Sequence, residues 1–216
     1  MNNKITVYSQ ENYNVWNNAE KAISRSRLWQ FLLITIGSAS SIIYPHVPLV
    51  GFAAISGVTL NRKQAIISSI IIWLVNQFYG FTLRQYPQTL ESFTWGVVMG
   101  LATLLVTILA SIKPKFMGEK VWRYYLWLTA SLVIGYILFE GIILLTASLM
   151  VGEGHGLTVA ILGRIFVKNL VWAIALTFIH SFLIWNGIKF SKRYENSNLF
   201  PTPEVNCRPP AYGRRF

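Results

Sequence analysis

Residues 48–63 read PLVGFAAISGVTLNRK. An uncharged run, Pro48–Leu60, meets Arg62 and Lys63 almost at once. As a helix that run is about 20 Å long. The hydrocarbon core of a bilayer is about 30 Å thick. The segment is therefore a short crossing or a re-entrant one, and the choice sets the sidedness of everything after it.

Charge makes the choice. The other apolar runs predict helices at Leu28–Tyr44, Gln64–Phe81, Leu90–Ile112, Tyr124–Met150 and Thr158–Phe190. Count Pro48–Leu60 as a crossing and place the N-terminus in the cytoplasm. Sixteen of the 19 basic residues then fall on the cytoplasmic side. They are Lys4, Lys21, Arg25 and Arg27; then Arg62 and Lys63; then Lys113, Lys115, Lys120 and Arg123; then Lys189, Lys192, Arg193, Arg208, Arg214 and Arg215. The outer loops keep Arg84, while Arg164 and Lys168 fall within the last helix. A re-entrant segment would split the clusters at 62–63 and 113–123 between the two sides. The positive-inside rule thus predicts an all-α polytopic membrane protein with six transmembrane helices and both termini cytoplasmic. The short helix is expected among its neighbours, facing little lipid.

Composition agrees. The chain has 216 residues, 53% of them hydrophobic and 12% charged. Soluble domains carry about twice that charge. The net charge of +11 sits beside apolar runs. It reads as a topology signal and a contact with membrane lipid; no nucleic-acid partner is expected. The single cysteine, Cys207, permits neither a disulfide framework nor a thiolate metal site. Three parts are expected: a leader over 1–27, a transmembrane domain over 28–190, and a Pro-rich basic tail over 191–216. The leader lacks a small-residue cleavage site, so the first helix is expected to be retained. Val15, Trp16, Ala19, Ala22 and Ile23 would give the leader one apolar helical side. A solvated linker is the plainer reading of leader and tail.

Polar residues collect at one depth. With a rise of about 1.5 Å per residue, Asn76 lies about 18 Å up its helix and Glu140 about 24 Å up its own. Arg164 and Lys168 lie about 9 and 15 Å below the outer surface. The candidate binding set is Asn76, Gln77, Tyr79, Trp95, Glu140, Arg164, Lys168 and Asn169. Two cations a turn apart, a carboxylate, amides and rings, converging from four helices, suit a small organic solute. Arg164 and Lys168 would neutralise an anionic group. Asn76, Gln77 and Glu140 would hydrogen-bond the solute, and Tyr79 and Trp95 would stack on it. The loop YPHVP, with Tyr44 and His46, would gate the outer opening.

A competing reading pairs Glu140 with Lys168 inside the protein and sends Arg164 to the headgroups. Asn76 and Gln77 then only join helices. Such a chain would be an accessory subunit of a larger complex, without a ligand. Gly96-x-x-x-Gly100 makes a small-residue stripe that lets helix backbones approach. Ala53/Gly57 and Gly37/Ser41 do the same on two other helices. No HExxH, P-loop or GxSxG motif occurs, and the chain has no Asp. His46, His155 and His180 are dispersed. Neither enzymatic activity nor a metal or other cofactor is expected.

With its short second helix, its polar outer chamber and the stretch PHVPLVGFAAISGVTLNRKQAI at 45–66, the chain resembles the substrate-binding (S) component of energy-coupling-factor vitamin transporters. In that family a Pro-bounded loop leads into a small-residue helix, a basic turn and a third helix. The resemblance spans about 28–190. It implies uptake of a vitamin-sized solute across a bacterial plasma membrane, with a membrane coupling subunit and cytoplasmic ATPases as partners. The family docks its coupling subunit through small residues on the first helix, for which Gly37/Ser41 is the counterpart here.

Overall fold

The computed structural model describes residues 14–44, 47–112, 121–150 and 159–197, with side chains described as far as Lys189 in the last of these. The fold is all-α. Helix α1 covers residues 14–24. It is followed by α2 (Arg27–Ile43), α3 (Leu49–Thr59), α4 (Arg62–Thr82), α5 (Leu90–Ala110), α6 (Val121–Met150) and α7 (Val159–Ser197). Among the described residues four helical segments are long and apolar enough to cross a membrane: Arg62–Thr82, Leu90–Ala110, Val121–Met150 and Val159–Lys189. The chain is a helical integral membrane protein. The apolar helices α2 and α3 are shorter, at 17 and 11 residues.

Every expected helix is present. The largest change in extent is in α7, which runs on to Ser197 rather than stopping near Phe190. Hydropathy falls after Phe190, but residues 191–197 contain neither Gly nor Pro to end the helix. The leader also differs from a solvated linker. In α1, Glu20 and Ser24 are buried. Trp16 meets the Tyr124 ring edge-on at 5.3 Å. Ala22 is exposed, so the docked face is Trp16, Glu20, Ile23 and Ser24. That is the i, i+4, i+7, i+8 stripe of an amphipathic helix.

Helix α3 is the centre of the bundle. All eleven of its residues are buried, and it packs against α2, α4, α5, α6 and α7. Its small residues allow this. A Cβ on Gly57 would stand 2.6 Å from the Ala110 Cβ and 2.7 Å from the Thr107 carbonyl oxygen, so the α3 and α5 backbones touch there. The Gly96/Gly100 stripe likewise serves packing within the chain. A Cβ on Gly100 would stand 2.5 Å from the Trp73 ring, and one on Gly96 2.6 Å from Gln77 Oε1. Trp73 Nε1 donates to the Gly96 carbonyl at 2.9 Å, which closes the α4–α5 seam.

The shortness of α3 leaves a space. Eleven residues rise about 16 Å, whereas the 21 residues of α5 rise about 31 Å. Gly57 is level with Ala110 at the C-terminal end of α5. The N-terminal half of α5 therefore reaches past the start of α3, where no helix fills the centre.

Candidate functional site

That space is a cavity of about 650 Å³. Val47, Leu49 and Val50 at the start of α3 line one end of it. Its walls are Asn76, Gln77 and Phe81 of α4; Ser92, Trp95 and Met99 of α5; Phe139, Glu140 and Ile143 of α6; and Ile161, Arg164, Ile165, Lys168 and Asn169 of α7. Tyr86 and Pro87, from the turn between α4 and α5, complete it. Each wall is one helical face. Ile161, Arg164, Ile165 and Lys168 follow the i, i+3, i+4, i+7 pattern, as do Ser92, Trp95 and Met99 in part. The structure brings seven of the eight candidate binding residues to this one cavity: Asn76, Gln77, Trp95, Glu140, Arg164, Lys168 and Asn169.

Tyr79 is the correction. It does not line the cavity; the Arg84 guanidinium lies over its ring, 5.3 Å from the centroid. Each residue turns a helix by about 100°, so Tyr79 is about 200° round α4 from Gln77. Arg84 also donates from Nη2 to the Ser41 carbonyl at 2.8 Å and ties the α4–α5 turn to the last turn of α2. The turn itself needs Gln85 in the left-handed region, at φ 53°. Of the expected gating residues, His46 lies outside the described residues. Tyr44 is half-buried, with Lys168 Nζ 5.2 Å from its ring centroid and Trp172 edge-on at 6.4 Å.

Asn169 lines the cavity but is already engaged. Its Oδ1 accepts from the Gly51 N–H at 2.8 Å, and its Nδ2 donates to the Ile165 carbonyl at 3.0 Å. The first N–H groups of a helix have no partner within it, and Pro48, at the cap of α3, supplies no side-chain hydrogen bond. Asn169 thus caps α3 from another helix. Only glycine permits that approach, since a Cβ on Gly51 would stand 2.9 Å from the Asn169 carbonyl oxygen.

The charges differ in exposure. Arg164 is exposed, Lys168 is half-buried and Glu140 is buried. Among the described residues, no ion pair joins Glu140 to Lys168 or Arg164. Tyr136, one turn earlier on α6, neighbours Glu140, but its hydroxyl donates to the Leu162 carbonyl at 2.6 Å. Among the described residues, no three His, Cys, Asp or Glu side chains group as metal ligands would.

The apolar part of the lining, including Met99, Phe139, Ile143 and Ile161, was not expected from the sequence. Its only signal is spacing from candidate members: Met99, Ile143 and Ile161 lie three or four residues from Trp95, Glu140 and Arg164, and Phe139 lies beside Glu140. No family model, curated protein or solved structure matches the chain.

Proposed function

We propose that the chain is the substrate-binding membrane subunit of an uptake system for a small, organic, vitamin-like anion. The observation that carries this reading is the convergence of seven polar or aromatic candidates from four helices on one cavity of about 650 Å³. The cavity has the size and mixed lining of a small-molecule site. Arg164 and Lys168 draw in the anionic group, Asn76, Gln77 and Glu140 hydrogen-bond the solute, and Trp95 stacks on it. The protein carries no catalytic chemistry of its own. Following the resemblance to energy-coupling-factor S components, it works with a membrane coupling subunit and cytoplasmic ATPases in a bacterial plasma membrane.

In this reading all six apolar helices cross the membrane and both termini are cytoplasmic. The enclosure of α3 by protein supports the proposal, because a helix that meets no lipid need not match its thickness. The cavity then opens outward. Cysteines introduced singly at 62 and 115 in a Cys207→Ser background should react only with reagent supplied from the cytoplasmic side. Labelling of either from outside would invert the cavity and end the uptake reading.

The test of binding is a thermal-shift screen of the full chain against vitamins and their precursors. At least one anionic compound should stabilise it. The rival is an accessory subunit without a ligand. The engagement of Asn169 with Gly51 favours it, since that polar group serves packing. A screen in which nothing stabilises the protein would leave the rival in place.

A further inference from the structure

The cavity holds charges of both signs, and they differ in what they need. Arg164 is exposed and can be satisfied by water or headgroups. Lys168 is half-buried and sits over the Tyr44 ring, which supplies attraction but no acceptor. Glu140 is 7% exposed, faces the same cavity and has no cation beside it among the described residues. An ionised carboxylate only accepts hydrogen bonds. A charge this deep within a bundle is costly unless it is matched. A solute carrying only an anionic group would satisfy the Lys168 end and leave Glu140 as it stands.

We infer that the solute is a zwitterion, with its anionic group at Lys168 and Arg164 and a protonated amine or similar cationic donor at Glu140. The cavity lining also includes aromatic and apolar side chains, Trp95 and Phe139 among them, so the part of the solute joining its two charged groups is an apolar or ring-containing body. This rests on the proposed role of the cavity as a solute site and narrows the class of solute it takes. It also gives Glu140 a role distinct from the amides. Asn76 and Gln77 can bond a neutral group, whereas Glu140 selects for positive charge.

The test uses two matched triads of probes with wild-type full-length protein in lipid nanodiscs. One is tryptophan, indole-3-propionate and tryptamine. The other is 4-(aminomethyl)benzoate, 4-methylbenzoate and 4-methylbenzylamine. Each triad holds the body constant while removing the amine or the carboxylate. Calorimetric titration should show, in at least one triad, the zwitterion binding about ten- to a hundred-fold more tightly than its anion-only partner, as expected for a hydrogen bond to a charged group. Glu140→Gln should close that gap by weakening the zwitterion to the level of the anion. This comparison begins with wild type, so it does not depend on a variant that folds. If the anion-only probe binds as tightly as the zwitterion, and Arg164→Ala weakens both, the zwitterion inference is overturned while solute binding stands. If no member of either triad binds while the thermal-shift screen finds a stabilising anion that lacks a cationic group, the inference is overturned and solute binding stands. If neither experiment finds a binder, both the inference and the reading beneath it are overturned.

Discussion

The two ends of the bundle use similar residues for opposite purposes. At the end away from the cavity, several polar side chains are spent on one another. Trp29 Nε1 donates to Thr59 Oγ1 at 2.9 Å. The Ser69 and Thr107 hydroxyls share a bond of 2.7 Å. The Trp29 ring lies 5.1 Å from the buried His180 ring, and α1 covers this end beside Tyr124. At the cavity end, Trp95, Lys168 and Glu140 surround a void. Ring and hydroxyl chemistry therefore does not separate a packed interior from a site. The presence or absence of a helix to pack against does, and here the end of α3 draws the line.

The largest expected effect is a difference between two tryptophans. Trp29 is fully buried and hydrogen-bonded. Trp29→Ala should destabilise the protein by about 3 kcal/mol, near the low end for burying such a hole, because lipid adds no hydrophobic drive between helices. Trp95→Ala should cost about 1 kcal/mol or less, since one side of its ring already faces empty space. Equal losses in a denaturant titration from detergent would erase the distinction between the ends.

Asn169 tests the boundary itself. It belongs to the cavity wall and also caps α3. Asn169→Ala leaves the Gly51 N–H buried without its acceptor, at a cost of about 1–3 kcal/mol. Asn169→Asp keeps an acceptor and should recover part of that loss. If Asn169→Ala were neutral, the start of α3 would not be held from α7, and the floor of the cavity would need another explanation.

Much of this was legible in the sequence, for a definable reason. Lipid tolerates few interruptions, so six apolar segments stand out, and the polar residues within them stand out in turn. The short, Gly- and Ala-rich run at 48–60 also announced an enclosed helix. Direction around a helix was harder to read. Depth placed Asn76 and Tyr79 one turn apart, yet only Asn76 reaches the cavity, because the partner of Tyr79 is Arg84 from a turn whose path the sequence does not state. Depth also put Glu140 near Lys168 and made an ion pair plausible, whereas the two line a common void without pairing among the described residues. The apolar wall was invisible for a different reason. An isoleucine that faces a cavity and one that faces lipid look alike in a sequence.

The separation of Glu140 from Lys168 can be measured directly. In a buried pair, removing one partner strands the other and costs about 3–5 kcal/mol, most of which is recovered when both are removed. Where no pair exists, Glu140→Gln and Lys168→Met should be nearly additive, with a coupling of about 0.5 kcal/mol or less. A coupling of several kcal/mol would return the cavity end to the chemistry of the packed end.

The smallest expected effect on stability is the most informative about function. Arg164 is exposed and has no carboxylate within ion-pair range among the described residues. Substitution at such a position usually changes stability by no more than about 0.5 kcal/mol. Arg164→Ala should therefore melt like wild type in the absence of solute. Its difference should appear only when an anionic compound is added. A ligand that binds the folded state alone stabilises it by RT ln(1 + [L]/Kd), which is about 2.7 kcal/mol at a hundred times Kd. Wild type should gain that increment from a stabilising anion, and Arg164→Ala should lose most of it at the same concentration. If Arg164→Ala instead lowers the melting temperature without any compound present, the guanidinium is holding the bundle together. The cavity end would then differ from the packed end in shape alone.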